Sequence, residues 1–185
     1  MFKNVPLPED HQIPENLLSR LKQLPAINIY RLLTTVPDCF NPWLDLVAGL
    51  YQVKFDKRLK EIAICRQAYK AKSHYELHQH KFIAKQNGVT DKELQAVLTE
   101  DIVHSLDEEA NFICKVADEI EVNATLTDVS FNELFTRYGV QLGMELIVTI
   151  SFYCCVARVL NATRTPIEET NPLEGLATPI NKQQR

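Results

Sequence analysis

The feature that most constrains the fold is an apolar segment at residues 140–162, near the C-terminus. It is apolar nearly all the way round a helix, which is typical of a helix at the centre of a bundle or at an interface between subunits. Its most apolar part, residues 142–157, contains Glu145 and is short for a membrane span, so a buried core helix is favoured and no membrane partner is expected. Because one domain of 185 residues has limited means of wrapping such a helix, we expect the chain to self-associate.

The rest of the chain also has helical signals. Three capping boxes, each a Ser or Thr followed three residues later by Glu, begin at Ser73, Thr90 and Ser105. Gly139 is expected to separate a helix at 128–138 from the apolar helix, and earlier helices are predicted at 15–24, 27–35, 41–53 and 57–71. The low glycine content, five against nine prolines, and the lack of alternating strand patterns predict an all-α fold.

The domain organisation follows from the distribution of proline and of polar residues. Residues 1–14 and 165–185 carry several prolines without periodicity, and the second segment ends in a polar run. We therefore predict an extended N-terminal arm at 1–14, one helical domain at 15–164 and a C-terminal tail at 165–185. Such arms are either disordered or laid across a neighbouring chain.

The net charge limits the possible partners, and the cysteine content indicates the cellular location. A net charge of -4 and a pI of about 5.7 argue against nucleic acid as a partner, since phosphate binding needs a basic excess. The first residues lack the apolar core of a signal peptide. Five irregularly spaced cysteines do not form a secreted disulfide framework, so a cytoplasmic location is expected.

Helical geometry places three polar residues on apolar faces. Side chains step by ~100° per residue, so Glu61 falls between Cys65 and Ala68, while Glu76 and His80 fall opposite Lys81 on the next helix. Glu76 and His80 are four residues apart, so their side chains can meet. A buried charge needs a partner, and buried carboxyl and imidazole groups are suited to acid–base chemistry near neutral pH. We therefore predict an acid–base site where the two helices meet.

Each of these residues also has a structural explanation. Glu76 can serve only its capping box, His80 can be a core histidine bonded to a backbone carbonyl, and Glu61 can pair with Lys57 or Lys60. His74 and His78 are expected at the surface. A basic cluster is expected to be a solvated face that can still attract an anionic substrate; it comprises Lys57, Arg58, Lys60, Arg66, Lys70, Lys72, Lys81 and Lys85.

At these residues the sequence resembles the carboxymuconolactone decarboxylase and alkylhydroperoxidase-D-like group. Residues 58–66 (RLKEIAICR) and 75–80 (YELHQH) are similar to its R-x-R-E-x-x-I-L-R and Y-E-W-x-x-H motifs. Residues 88–94 (GVTDKEL) and 152–162 (FYCCVARVLNA) are similar to its later motifs. The resemblance covers roughly residues 26–168 and implies a multi-helical bundle that assembles into a homotrimer or homohexamer, with the site near a subunit boundary.

The resemblance also implies which residues carry chemistry. In the alkylhydroperoxidase branch a Glu, a Cys-x-x-Cys pair and a His form a proton relay. In this sequence the Glu corresponds to Glu61 and the His to His80, but the two cysteine positions hold Ser73 and Glu76. Neither residue forms a disulfide. The branch without the cysteine pair is therefore implied, with Glu61, Glu76 and His80 catalytic, Ser73 and Tyr75 contacting substrate, and neither cofactor nor metal required.

The predicted function is cofactor-free acid–base chemistry of the decarboxylase type on a small carboxylated lactone or organic acid. Two alternatives stay open at this point. The first is an alkylhydroperoxidase or peroxiredoxin-like antioxidant protein, for which Cys65 is the candidate thiol because it lies one turn from Glu61. The second is a non-catalytic oligomeric binding protein.

Overall fold

The computed structural model describes residues 3–180, and within that range the chain is all-helical, as predicted. A short 3₁₀ turn at Asp10–Gln12 precedes eight α-helices. These are α1 (Glu15–Leu21), α2 (Asn28–Leu33), α3 (Pro37–Leu50), α4 (Lys57–Lys70), α5 (His74–Gln86), α6 (Asp91–Thr99), α7 (Glu108–Asn123) and α8 (Asp128–Thr163). Residues 1, 2 and 181–185, the outer ends of the predicted arm and tail, lie outside the described residues.

Helix α4 lies at the centre of the bundle and packs against α5, α6, α7 and α8. Every side chain from Leu59 to Ala68 is buried, so this helix has no solvated face. The predicted solvated basic face is therefore wrong for Lys60 and Arg66, which are at most 4% exposed, as is the neighbouring Gln67. A helix enclosed by four neighbours buries polar side chains wherever those neighbours supply partners.

Arg66 is the clearest of these buried polar residues. Its guanidinium donates to both carboxylate oxygens of Asp118 at 2.6 and 2.7 Å and to the carbonyls of Val97, Glu100 and Asp101 at 2.9, 2.8 and 2.5 Å. All of these acceptors lie on or between α6 and α7. Arg66 is thus an internal structural cation rather than part of a solvated basic face, because a buried charge is tolerated only when it is paired and hydrogen-bonded.

Only one of the three predicted capping boxes is formed. Thr90 accepts from the Glu93 amide at 3.2 Å, and Glu93 accepts from the Thr90 amide at 2.7 Å. The box at Ser105 is wrong, because α7 begins two residues later than the box requires and is capped by Asp107. The box at Ser73 is also wrong, since the Ser73 hydroxyl makes no cap hydrogen bond.

Gly139 divides α8 as predicted. Its backbone is non-helical, with φ 70° and ψ 176°, a conformation open essentially to glycine alone. By length and composition alone α8 could cross a membrane, and half of its most apolar stretch is buried against the rest of the chain.

The two terminal segments lie on the chain's own helices over the residues that the structure describes. In the N-terminal segment, the Pro8 carbonyl accepts from Arg31 at 2.9 Å. In the C-terminal segment, Leu173 is fully buried, and the Pro179 carbonyl accepts from the Tyr30 hydroxyl at 2.7 Å. The C-terminal segment at residues 165–180, called the tail below, covers the ends of α2 and α5 that carry the site.

Candidate active site

Glu61 and His80 form a buried pair between α4 and α5. The His80 Nδ1 atom lies 2.9 Å from Glu61 Oε2, and the side chains of His80 and Glu61 are only 6% and 0% exposed. A carboxylate can only accept hydrogen bonds, so an ionised Glu61 fixes a proton on Nδ1, and in the neutral imidazole Nε2 is then the nitrogen that carries the lone pair. The predicted inward placement of both side chains is correct. The pair fixes the ring orientation and the tautomer of His80.

Two tyrosines surround this pair. The Tyr51 hydroxyl donates to Glu61 Oε1 at 3.3 Å and lies 3.2 Å from the Tyr153 hydroxyl. The Tyr153 ring packs edge-on against His80, with ring centroids 4.7 Å apart. Burial first, and then the Glu61 charge, raise the pKa of both tyrosine hydroxyls well above 10.0. Both therefore stay neutral at physiological pH.

Glu76 is buried without a partner. It is 2% exposed, and neither carboxylate oxygen has a hydrogen bond among the described residues. Burial raises its pKa well above 4.5, the charge of Glu121 raises it further, and the Ser73 hydroxyl acts weakly in the opposite direction. Capping therefore does not explain Glu76. Glu76 and His80 do not form a hydrogen bond either, since both carboxylate oxygens of Glu76 lack a partner among the described residues.

A small cavity of about 40 Å³ lies beside these residues. Its polar lining consists of Glu76, Gln79, His80 and three tyrosines, Tyr30, Tyr75 and Tyr153. The remaining lining residues are apolar: Ile27, Ile29, Trp43, Val47, Phe152, Val156, Leu160, Leu173 and Pro179. No lysine or arginine lines it, so the predicted basic cluster does not face the cavity. The last two lining residues, Leu173 and Pro179, belong to the tail.

The five predicted site residues occupy different positions around this cavity. Tyr75, Glu76 and His80 line it, and Glu61 lies behind His80. Ser73 is fully buried and does not line the cavity, and its hydroxyl has no hydrogen bond among the described residues. The structure thus gives no support to substrate contact by Ser73.

Sequence reasoning missed three residues of this region. Tyr153 lies in a motif of the family resemblance, which singled out its position without a role. Gln79 lies on the same helix as His80, and its Nε2 donates to the tail residue Glu168 at 2.5 Å. Tyr51 follows α3 and reaches Glu61 only through tertiary packing, so no sequence pattern could have found it.

The cysteines are separate from the cavity. All five are free thiols, and none lines it. Cys65, the candidate thiol of the antioxidant alternative, is fully buried, and burial, followed by the charge of Glu61, raises its pKa well above 9.0. A raised pKa suppresses the thiolate, which is the reactive form. Among residues 3–180 no group of three or more His, Cys, Asp or Glu side chains is arranged to hold a metal ion, and this includes Glu61, Glu76 and His80.

Comparison with known proteins supports the fold. The chain is similar to the crystal structure of a protein from Ralstonia eutropha JMP134, which is described as an alkylhydroperoxidase AhpD core and an uncharacterized peroxidase-related protein. The TM-score is 0.78 and the sequence identity is 14%, and the match covers 94% of this chain and 96% of that one. An uncharacterized peroxidase-related protein from Silicibacter sp. TM1040 gives a TM-score of 0.76, 14% identity and coverage of 94% and 98%. Neither family models nor curated protein sequences give a match. The fold is therefore that of the alkylhydroperoxidase core.

Proposed function

We propose that the protein catalyses cofactor-free proton transfer, of the decarboxylase or isomerase type, on a small organic acid or carboxylated lactone. One observation carries the proposal: His80, whose Nδ1 is held by Glu61, and Glu76, a buried carboxyl without a hydrogen-bond partner among the described residues, line the same cavity. The bond to Glu61 orients the imidazole of His80, whereas burial raises the pKa of Glu76 and so favours its neutral form. An oriented imidazole and a neutral carboxyl on one cavity can serve as a base and an acid.

The chemistry follows from these roles. His80 Nε2 removes a proton from a carbon next to a carbonyl group, and the electron pair moves to the carbonyl oxygen. The neutral Glu76 carboxyl gives its proton to that oxygen, so an enol is formed. Glu61 stabilises the resulting imidazolium through Nδ1. In an apolar cavity these interactions are stronger than in water.

The proposal is tested with a panel of small β-keto acids and carboxylated γ-lactones. Consumption of each compound and deuterium incorporation from D₂O are followed by proton NMR. We expect His80→Ala and Glu61→Gln to lower turnover by about 10²- to 10⁴-fold, the usual contribution of a positioned general base. His74→Ala is the matched control, because His74 lies on the same helix but is exposed. Full turnover in both site variants would rule the mechanism out, and binding without turnover would favour a binding protein.

A second candidate is the reduction of hydroperoxides, because both structural neighbours are described as peroxidase-related. This route requires a thiol in the cavity, and Cys65 would have to leave its buried position to supply one. Mass spectrometry after treatment with tert-butyl hydroperoxide separates the two functions. Oxidation of Cys65 before the exposed Cys39 would favour the peroxidase.

We also propose that the chain forms a homotrimer or homohexamer. Val140, Met144 and Val148 are 74%, 45% and 41% exposed and recur every four residues, so they form an apolar stripe along α8. Light scattering coupled to size-exclusion chromatography tests this, with Met144→Glu as the disrupting variant. A cytoplasmic location is proposed from the cysteine content, since all five thiols are free.

A further inference from the structure

The tail residue Glu168 lies among three hydrogen-bond donors at the edge of the cavity. Its Oε1 accepts from the Tyr75 hydroxyl at 2.5 Å and from the backbone N–H of Asn28, and its Oε2 accepts from Gln79 Nε2 at 2.5 Å. Tyr75 and Gln79 are 5% and 4% exposed. The three donors come from α2 and α5, and together they enclose both oxygens of a carboxylate.

Two of the three donors, the Tyr75 hydroxyl and the Asn28 backbone N–H, are positioned independently of Glu168. The Tyr75 hydroxyl also accepts from the Ile29 amide at 3.2 Å, which ties α5 to the start of α2. Tyr75 and Gln79 both line the cavity that contains His80. Hydrogen bonds from neutral donors to a charged acceptor are among the stronger ones in proteins, so a carboxylate can be held here without a cation.

The tail forms part of the wall of this cavity and also supplies the acceptor for the three donors. Leu173 and Pro179 form part of its wall, and the space left is about 40 Å³. A cavity of roughly 150 Å³ is needed to hold a ring the size of benzene. A ring-sized ligand therefore does not fit while the tail is in place. Withdrawal of Glu168 with the tail would free the donors and enlarge the cavity together.

We propose that the Tyr75 hydroxyl, the Gln79 amide and the Asn28 backbone N–H form a carboxylate-binding subsite, which Glu168 occupies in this structure. The carboxylate of a small organic acid takes the place of Glu168 and displaces the tail. The assignment of this ligand as substrate rests on the proton-transfer function proposed above. Binding itself is measured without turnover, so the failure of either proposal is recognised separately.

The first experiment fills the subsite from solution. In Glu168→Ala the donors lose their acceptor, and acetate supplies a carboxylate of the same chemistry. With acetate about tenfold above its Kd, we expect the Tm of Glu168→Ala to rise by roughly 3–5 °C. Acetamide, the neutral analogue, should give no rise, and wild type should respond less to acetate. Equal shifts with acetate and acetamide, or equal acetate shifts in wild type and variant, would overturn the subsite.

Controls address folding and location. If Glu168→Ala does not fold, Glu168→Gln replaces it, because glutamine keeps the side-chain shape. The acetate response then measures competition between acetate and the amide side chain for the subsite. Glu169→Ala is the matched neighbour, since Glu169 is exposed, and should respond as wild type does. Adding Gln79→Leu to Glu168→Ala should lower acetate affinity by about tenfold, and an unchanged affinity would place the anion elsewhere.

The second experiment follows the tail of the wild-type protein by hydrogen exchange. Benzoate at saturating concentration should raise the exchange of amides in residues 165–180, and benzamide should not. Unchanged exchange with bound benzoate would refute displacement of the tail. Both measurements should give the same result in His80→Ala, since His80 takes no part in the carboxylate contacts.

Discussion

Glu76 should make the protein less stable as the pH rises. In the unfolded chain its carboxyl ionises near pH 4.5, whereas in the folded chain burial without a partner raises the pKa well above that value. Between these two values the folded state holds one proton more than the unfolded state. The stability that Glu76 contributes is therefore fully present below pH 4.5 and falls by about 1.4 kcal/mol for each pH unit, until the pH passes the raised pKa.

The variant Glu76→Gln isolates this effect, because glutamine has nearly the same shape and does not ionise. The free energy of unfolding of the variant, minus that of wild type, should grow by about 1.4 kcal/mol per pH unit above pH 4.5. Urea denaturation followed by circular dichroism, at half-unit steps from pH 4.5 to 8, measures the difference. Glu169→Gln is the control at an exposed site.

One result would refute this account. If the difference in unfolding free energy between Glu76→Gln and wild type is the same at every pH from 4.5 to 8, Glu76 does not change its proton affinity on folding. The proposed acid of the site would then be ionised at neutral pH. A difference that grows with pH at Glu76 but not at Glu169 would instead show that a neutral carboxyl is present in the cavity.

Three further predictions test the scaffold and the thiols. Arg66→Met should lower the free energy of unfolding by about 3–5 kcal/mol, because it leaves Asp118 without its buried partner. Denaturant melts measure this loss, and a smaller loss would show that the pair is dispensable. Gly139→Ala should cost about 1–3 kcal/mol because alanine is strained at φ 70°, although no atom lies within 4 Å of the added methyl; a Tm equal to that of wild type would contradict this. Iodoacetamide at pH 8 should label the exposed Cys39 long before Cys65, whose pKa is raised by burial, and mass spectrometry of the labelled peptides would reveal the reverse order if it occurs.

Helical periodicity explains why part of the site was predictable. Glu61, Glu76 and His80 were placed on apolar arcs from their numbering alone, and the structure buries all three. The direction in which a side chain leaves a helix is a local property, since each residue turns the helix by ~100°. The all-α fold and the break at Gly139 were predictable for the same reason, because helix signals and glycine conformations are local.

The burial of Lys60, Arg66 and Gln67 was not predictable in this way. A polar arc on a helix normally faces water, but α4 is enclosed by four other helices, and the partners of Arg66 lie more than 30 residues away in the sequence. The capping box predicted at Ser73 was wrong for a similar reason. Its two members are buried by the neighbouring elements and do not form the local bonds that the motif describes.

The amino-acid sequence thus determined that the chain is helical and that Glu61, Glu76 and His80 leave their helices on apolar sides, because those features are set by neighbours along the chain. Only the tertiary structure decided that His80 pairs with Glu61 rather than with Glu76, and that Glu168 of the tail fills the donor set of Tyr75 and Gln79. Partners of this kind are chosen by distances between segments that are far apart in sequence. Those distances exist only after the helices have packed.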